Sequence, residues 1–199
     1  PRHSRNRASR PRVPHASLVS ALRRTAYPRI ELMGDAVLLS LSIPIAREEM
    51  ERVPILVVAR GESFLTLSSG DADLREVETV GIPPVGFGVE MTCVLLGAVF
   101  RRYEQVIGVV ESQARELEED PVRGGMQGFF ERTFRLKNEL FALKADLWRL
   151  RGILESVADG RIVLAGLPME QRKRLRLLAD DVEYAHDTVE EIREGLISL

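Results

Sequence analysis

The sequence has few of the residues that build disulfide frameworks and catalytic centres. Its 199 residues include one cysteine and three histidines, and aromatic residues make up only 6%. A single cysteine, Cys93, cannot form an internal disulfide and suits a reducing compartment. We expect Cys93 to be a small buried side chain on a helix, and we expect a mainly aliphatic core because aromatics are scarce.

Long apolar runs are also missing. The densest run, MTCVLLGAVF from Met91 to Phe100, has ten residues, whereas a membrane-spanning helix needs about 20. No apolar segment typical of a signal peptide follows Pro1. The sequence as given therefore predicts a soluble chain.

Catalytic motifs are absent as well. The glycine-rich stretch RGGMQG lacks the lysine of a phosphate-binding loop. The sequence contains no CxxC, HExxH or GxSxG pattern. We predict that the chain is not an enzyme, because a metal-dependent enzyme would need carboxylates that converge in a cleft.

The charge is distributed unevenly along the chain. Residues 1–30 contain eight arginines and no acidic residue, so a net charge of −2 leaves about −10 for the remainder. A basic arm of this kind can meet nucleic acid or an anionic membrane. No nucleic-acid-binding motif follows it, so we predict no nucleic-acid partner and treat residues 1–28 as a solvated basic segment.

The region 29–88 has the pattern of a small β-sheet. Short apolar or alternating runs predict strands at Asp35–Ile45, Val53–Arg60 and Glu62–Ser68. A tight hairpin at Gly61 would make the last two strands antiparallel. A short helix at 72–77 and the breaker-rich linker GIPPVGFG are expected to follow.

The region 89–199 has helical periodicity throughout. It predicts long helices over 89–119, 121–158 and 168–199, the second of them opening at Pro121. The last helix keeps its apolar stripe to Leu199 without a capping residue, which predicts that it continues further. The predicted fold class is therefore α+β, a small mainly antiparallel sheet with long antiparallel helices.

The second helix carries a coiled-coil seam. In RLKNELFALKADLWRLRGIL the leucines alternate in steps of four and three, at Leu136, Leu140, Leu143, Leu147, Leu150 and Leu154. The seam must lie against another helix, either in the same chain or in a sister copy. Trp148, next to Leu147, is expected to be packed between elements.

Two acidic clusters lie in the helical region. ELEED, at residues 116–120, is expected to be a solvated turn. In the last helix Asp180, Glu183 and Asp187 share one face, and His186 and Glu190 pair four residues apart. Carboxylates with an imidazole can bind a divalent cation, whereas the alternative is a solvated outer face.

Three stretches resemble the CorA superfamily of divalent-cation channels and transporters. RTFRLKNELFALKADLWRLRGIL, from Arg132, resembles the family pattern RT-x-x-LK-x-x-L-x-x-L-(R/K)-x-x-x-W-x-LR-x-x-L. YPRIELMGDAVLLSLSI, from Tyr27, resembles a strand entry of that family, and HDTVEEIREGL, from His186, resembles the segment that leads toward the pore. The resemblance implies an α/β/α-like cytosolic domain that comprises a sheet part, 29–88, and a long-helix part, 89–199. Its last helix would be truncated before the first membrane span.

The resemblance also implies a function. The chain would be the regulatory, cation-sensing domain of a Mg²⁺/Co²⁺ channel at the cytoplasmic face of the membrane, coupling cation binding to gating. The acidic face of the last helix supplies the predicted ligands for Mg²⁺ or Co²⁺, with Zn²⁺ possible, namely Asp180, Asp181, Glu183, His186 and Asp187. The implied homopentamer would bring sister subunits together along Leu178, Val182, Ala185, Val189 and Ile192.

Two alternatives stay open. LPMEQRKRLRLLADDVEYAHD also resembles the zinc-transporting ZntB branch of the superfamily, which would change the cation. The other alternative is a soluble coiled-coil interaction protein without a transport role. At the positions of the family's sensor carboxylates the chain carries Ser20, Arg101 or Arg102, and Leu177, which implies modest cation affinity.

Overall fold

The computed structural model describes residues 27–47, 49–68, 70, 87–119, 125–164 and 166–197. Most of the predicted basic segment, the short helix at 72–77, the linker up to residue 86 and the helix start at Pro121 lie outside the described residues.

Four antiparallel strands form one sheet in the order β1 (Arg29–Met33), β2 (Ala36–Ile45), β3 (Glu51–Arg60) and β4 (Ser63–Ser68). Two-residue turns join β1 to β2 and β3 to β4, and each turn begins with a glycine at positive φ: Gly34 at 64° and Gly61 at 53°. Such turns need a residue that tolerates positive φ at this position. The three predicted strands and the Gly61 hairpin are confirmed, whereas β1 was not predicted as a separate strand.

Three helices follow, α1 (Phe87–Glu119), α2 (Gly125–Ala158) and α3 (Met169–Ile197). At the start of α1, a Cβ on Gly88 would lie 2.5 Å from the Gly61 carbonyl oxygen. Glycine therefore lets the helix backbone approach the β3–β4 turn. At the end of α2, Gly160 (φ 75°) donates its N–H to the Val157 carbonyl at 3.1 Å, which caps the helix.

The sheet and the helices share one hydrophobic core. Alternate residues of β2 and β3 face α1, namely Val37, Leu39, Leu41, Ile43, Val53, Ile55 and Val57. The six seam leucines of α2 are all buried in the same core, chiefly against α3. The structure thus confirms the α+β class and the packing of the α2 seam against a neighbouring helix of the same chain.

Trp148 is a correction to the sequence analysis. Its side chain is 66% exposed, although Leu147 beside it is fully buried. Successive helix residues point about 100° apart, so a neighbour of a seam residue need not share its face. The predicted packing of Trp148 between elements is wrong in this chain.

Candidate functional site

The acidic cluster predicted to bind a cation lies on the outer side of α3. Asp180, Asp181 and Asp187 are exposed, and no described residue forms an ion pair with Asp180 or Asp181. Nδ1 of His186 lies 3.2 Å from Oδ1 of Asp187. These side chains present carboxylate oxygens to solvent along about two turns of helix.

Glu183 has a different environment from the other predicted ligands. Its Oε1 lies 2.8 Å from Nη1 of Arg151, which projects from α2. Arg151 also contacts Glu155 of its own helix at 3.0 Å. Glu183 therefore joins α2 to α3. A cation that bound its carboxylate would have to break the pair with Arg151.

A second ion pair connects the same two helices about two helical turns away. Nζ of Lys144 in α2 lies 2.5 Å from Oε2 of Glu190 in α3, and Arg193 binds the same carboxylate. Hydrogen bonds from Arg193 and then from Lys144 lower the pKa of Glu190 to about 2. Glu190 is thus ionised at neutral pH and holds the two helices in register.

Asp181 faces a groove between α1 and α3. The groove has a volume of about 320 Å³ and is lined by Phe100, Glu104, Ile107, Asp181, Tyr184, Ala185 and Thr188. It brings the carboxylates of Glu104 and Asp181, from two different helices, to one surface. Sequence analysis missed Glu104, because no local spacing relates it to α3.

The geometry within this chain does not complete a metal centre. Among the described residues, no group of three or more His, Cys, Asp or Glu side chains is arranged to hold a metal ion. A divalent cation needs several oxygens, or oxygens with an imidazole, within about 2.0–2.6 Å. The described residues on the outer face of α3 therefore do not form a metal site by themselves.

The residues predicted to face sister subunits lie inside the chain. Val182 and Val189 are fully buried, Ala185 is buried, and Leu178 and Ile192 are partly buried against the same core. They pack chiefly towards α2, whose leucine seam they complete. This differs from the predicted interface at Val182, Ala185 and Val189, because side chains already covered within the protomer leave no surface for a neighbour.

Sequence analysis also missed a buried polar network at the junction of sheet, α1 and α2. The Tyr103 hydroxyl donates to the Ser42 carbonyl at 2.6 Å and lies 3.4 Å from Oδ2 of Asp146. Nη1 of Arg52 lies 3.4 Å from the same Oδ2. Oδ1 of Asp146 is buried without a hydrogen-bond partner among the described residues.

Burial dominates the protonation of this network. It raises the pKa of the Asp146 carboxyl to about 6, against the lowering effects of Arg52 and the Tyr103 hydroxyl. Burial, followed by the Asp146 charge, also raises the pKa of the Tyr103 phenol well above its usual range. Tyr103 is therefore a donor at all physiological pH values.

Glu139 makes a related contact one heptad before Asp146. Its carboxylate accepts the Met50 backbone N–H at 3.0 Å, so α2 also binds the β2–β3 connection. The signal in the sequence was the seven-residue spacing of Glu139 and Asp146, each placed just before a seam leucine. Polar residues beside a seam on the same face are candidates for contacts with a third element.

The thiol of Cys93 is protonated at neutral pH. Burial, with a smaller contribution from Glu90, raises the pKa of its thiol to about 12. The nucleophilic and metal-binding form of cysteine is the thiolate. At neutral pH Cys93 is therefore a partly buried apolar side chain.

None of the helices within the described ranges combines the length and the hydropathy needed to cross a membrane.

Comparison with protein families and solved structures identifies relatives of the whole chain. The family model described as CorA-like Mg²⁺ transporter protein matches residues 4–199. No curated protein matches the chain significantly.

Solved structures share the fold at low sequence identity. The soluble domain of CorA from Methanocaldococcus jannaschii is 22% identical with a TM-score of 0.74, and the match covers 90% of this chain and 76% of that one. The complete CorA magnesium transporter of the same organism is 20% identical with a TM-score of 0.77, covering 94% and 60%. The cytoplasmic domain of ZntB from Vibrio parahaemolyticus is 10% identical with a TM-score of 0.69, covering 93% and 75%. The chain thus spans 60% of the complete transporter.

Proposed function

The chain belongs to the family of CorA-like Mg²⁺ transporter proteins, and from that premise we propose that it is the cytosolic, cation-sensing domain of a divalent-cation channel. The observation that carries the proposal is the family match over nearly the whole chain, 4–199. The fold shared with CorA soluble domains supports it. Mg²⁺ or Co²⁺ is the proposed transported ion, and the domain lies at the cytoplasmic face of the membrane.

The proposed sensor is the outer face of α3. Asp180, Asp181, Asp187 and His186 supply its ligands, and Glu104 adds a carboxylate across the groove that Asp181 lines. Hard cations such as Mg²⁺ prefer carboxylate and water oxygens. Asp180 and Asp181 are exposed and have no described cationic partner, so they can take up such an ion without breaking an internal ion pair.

The remaining ligands come from a neighbouring copy in a homopentamer. One helix face rarely encloses an ion, and the ligands within this chain are incomplete. An ion shared by two subunits stabilises the arrangement in which its ligands converge, by an amount set by its differential affinity for the two states. Loss of the ion would leave like charges facing one another, which favours separation.

Movement of α3 would reach the rest of the domain through α2. The buried seam and the Arg151–Glu183 and Lys144–Glu190 pairs hold α3 to α2, and Asp146 and Glu139 hold α2 to the sheet. Packed elements of this kind move as units. We propose that this connection couples cation binding to gating.

Calorimetric titration with Mg²⁺ and Co²⁺ tests the sensor. We expect the wild type to bind with modest affinity and the variant Asp180→Ala/Asp181→Ala/His186→Ala to lose at least about tenfold, which is about 1.4 kcal/mol. The control variant Glu116→Ala/Glu118→Ala/Glu119→Ala removes exposed charge from the far end of α1 and should bind like the wild type. Equal losses in both variants would show that only general surface charge attracts the ion.

Zinc is the second candidate cation. An imidazole beside carboxylates, as at His186 and Asp187, suits Zn²⁺ better than Mg²⁺. The fold shared with the ZntB cytoplasmic domain adds support. In the same titration, tighter binding of Zn²⁺ that depends on His186 would favour this candidate over Mg²⁺.

A further inference from the structure

The helix α2 has a second apolar face, which is exposed, whereas its leucine seam is buried. Met126, Phe130, Phe134, Phe141 and Trp148 are each between 62% and 74% exposed. Their spacings of four, four, seven and seven residues place them along one stripe of the helix. The stripe extends over 22 residues, or about 33 Å. We name these five residues the aromatic stripe.

The exposed area of the stripe is that of an interface. An aromatic side chain presents roughly 150–250 Å², so five large side chains exposed by about two-thirds offer on the order of 600 Å² per copy. The largest apolar patch of a typical monomer is about 300–600 Å² and is often functional. Two such faces would bury about 1,200 Å², the lower end of the range for specific protein–protein interfaces.

We propose that the aromatic stripe pairs with the same stripe of a second copy of this chain, the two α2 helices running antiparallel about Phe141. The spacing around Phe141 is symmetric, since Phe134 and Trp148 each lie seven residues away. A two-fold axis at Phe141 therefore sets Phe134 of one copy opposite Trp148 of the other. Such a contact is isologous, with each residue pair occurring twice.

The same register provides room for the end of the stripe. Phe130 falls opposite Gly152, and a Cβ at Gly152 would have no atom within 4 Å. An open groove of about 600 Å³ lies there, lined in part by Pro28, Ile30, Trp148 and Gly152. The aromatic ring of one copy thus meets a cavity in the other, as knobs meet holes in coiled coils.

Charges favour the antiparallel direction. In this register Lys137 falls opposite Ala145. A parallel pair about the same stripe would set Lys137 opposite its own copy. Like charges in the competing arrangement select orientation more than they add affinity.

This contact is separate from the proposed pentamer. A two-fold contact cannot close a ring of five, so the stripe joins copies that do not share a ring interface. It uses α2 and none of the proposed cation ligands on α3. Its test therefore succeeds or fails independently of the proposed function.

Mass measurement by light scattering tests association of the 199-residue chain. At about 100 μM, where a contact with micromolar Kd is nearly saturated, we expect twice the chain mass of 22.3 kDa. Phe141→Asp should shift the protein to a single chain mass with an unchanged circular dichroism spectrum. The matched control Val163→Asp, an exposed apolar residue between α2 and α3, should remain at twice the chain mass.

Cysteine crosslinking tests the register. Phe141→Cys should crosslink to itself, and a mixture of Phe134→Cys and Trp148→Cys chains should crosslink to each other. Phe134→Cys alone should not, because its two copies would be about 21 Å apart, too far for a disulfide. Cys93 is partly buried with a raised thiol pKa, so the wild type provides the uncrosslinked background.

Three results would overturn the proposal. The first is a wild type at one chain mass at this concentration. The second is efficient crosslinking of Phe134→Cys alone, which would indicate a parallel pair. The third is a monomeric wild type that sediments with anionic phospholipid vesicles while Phe141→Asp does not, which would assign the stripe to a membrane surface.

Discussion

At the scale of single residues, Asp146 is where the sheet, α1 and α2 meet. Its side chain is 1% exposed, and Arg52 and Tyr103 approach its Oδ2. A buried carboxylate with one oxygen lacking a partner is costly in its ionised form. The fold therefore favours the protonated acid, which is why its pKa is raised to about 6.

The first prediction concerns the pH dependence of stability. Because the folded pKa of about 6 exceeds the ordinary value of 3.8, the native state binds more protons than the unfolded state between these values. The free energy of unfolding should therefore fall as pH rises from about 4 to 6, by up to about 3 kcal/mol from this group. Asp146→Asn cannot ionise and should lack this component in urea denaturation at pH 4.5 and 7.5.

Asp180→Asn is the control for this measurement, since Asp180 is exposed and has no described ionic partner. It should retain the wild-type dependence on pH. If Asp146→Asn keeps the same dependence as well, the carboxylate is not ionised in a buried environment and the assigned network is wrong.

The second prediction compares Trp148 with its neighbour Leu147. Trp148→Ala should lower the free energy of unfolding by less than about 1 kcal/mol, because the side chain is mostly exposed within the protomer. Leu147→Ala should cost about 2–5 kcal/mol, because it leaves a cavity in the core. Urea denaturation at low protein concentration measures both without a contribution from self-association. Similar losses in the two variants would contradict the assigned faces of α2.

At the scale of elements, α2 has three sides with different chemistry. Its leucine seam packs against α3, its Glu139 and Asp146 bind the sheet region, and its aromatic stripe is exposed. Apolar burial along the seam supplies most of the stability, at about 25 cal/mol for each Å² removed from water. The ion pairs beside the seam mainly fix the register of α2 against α3.

The third prediction separates these two contributions. Glu183→Gln removes the Arg151–Glu183 pair, whose members are partly exposed, and should cost at most about 1 kcal/mol. The loss should shrink in 1 M salt, where charges are screened beyond about 3 Å. Denaturation at low and high salt measures it. A loss above about 2 kcal/mol that persists in salt would mean that Glu183 is part of the core packing.

At the scale of the whole molecule, the sheet and the three helices share one hydrophobic core. The outer, polar face of α3 remains exposed to solvent. The chain spans 60% of the length of a complete CorA transporter. Exposed residues on α3, such as Leu177 and Tyr184, are therefore the candidates for contact with sister subunits, in place of the buried seam.

The fourth prediction tests this revised interface in the membrane-embedded protein. Under oxidation Tyr184→Cys should give a crosslinked pair of subunits, because each thiol forms one disulfide, and lysine crosslinking of the same protein should give a ladder that ends at five subunits. Val182→Cys, two residues away and fully buried, should give no crosslinked species. A crosslinked pair from Val182→Cys, or a lysine-crosslinked ladder that ends below five subunits, would contradict the proposed assembly.

Local patterns in the sequence were sufficient for most of the elements. Short apolar or alternating runs predicted β2, β3 and β4, and the three-four alternation predicted α2 and α3, because backbone geometry alone sets these repeats. The strand β1 was missed as a separate element because its five residues, RIELM, are too few for alternation to stand out. The family resemblance rested on motifs within these same elements.

The sequence by itself determined which residues share a face, and only the tertiary structure decided what covers each face. The seam of α3 carries the same repeat whether its partner is α2 or a sister subunit, so periodicity could not choose between them. Likewise, Trp148 and Leu147 differ by one residue in sequence but lie on opposite sides of the core boundary. The network of Ser42, Tyr103 and Asp146 joins residues 61 and 43 positions apart. Contacts over such distances depend on how whole elements pack, and no local spacing records that packing.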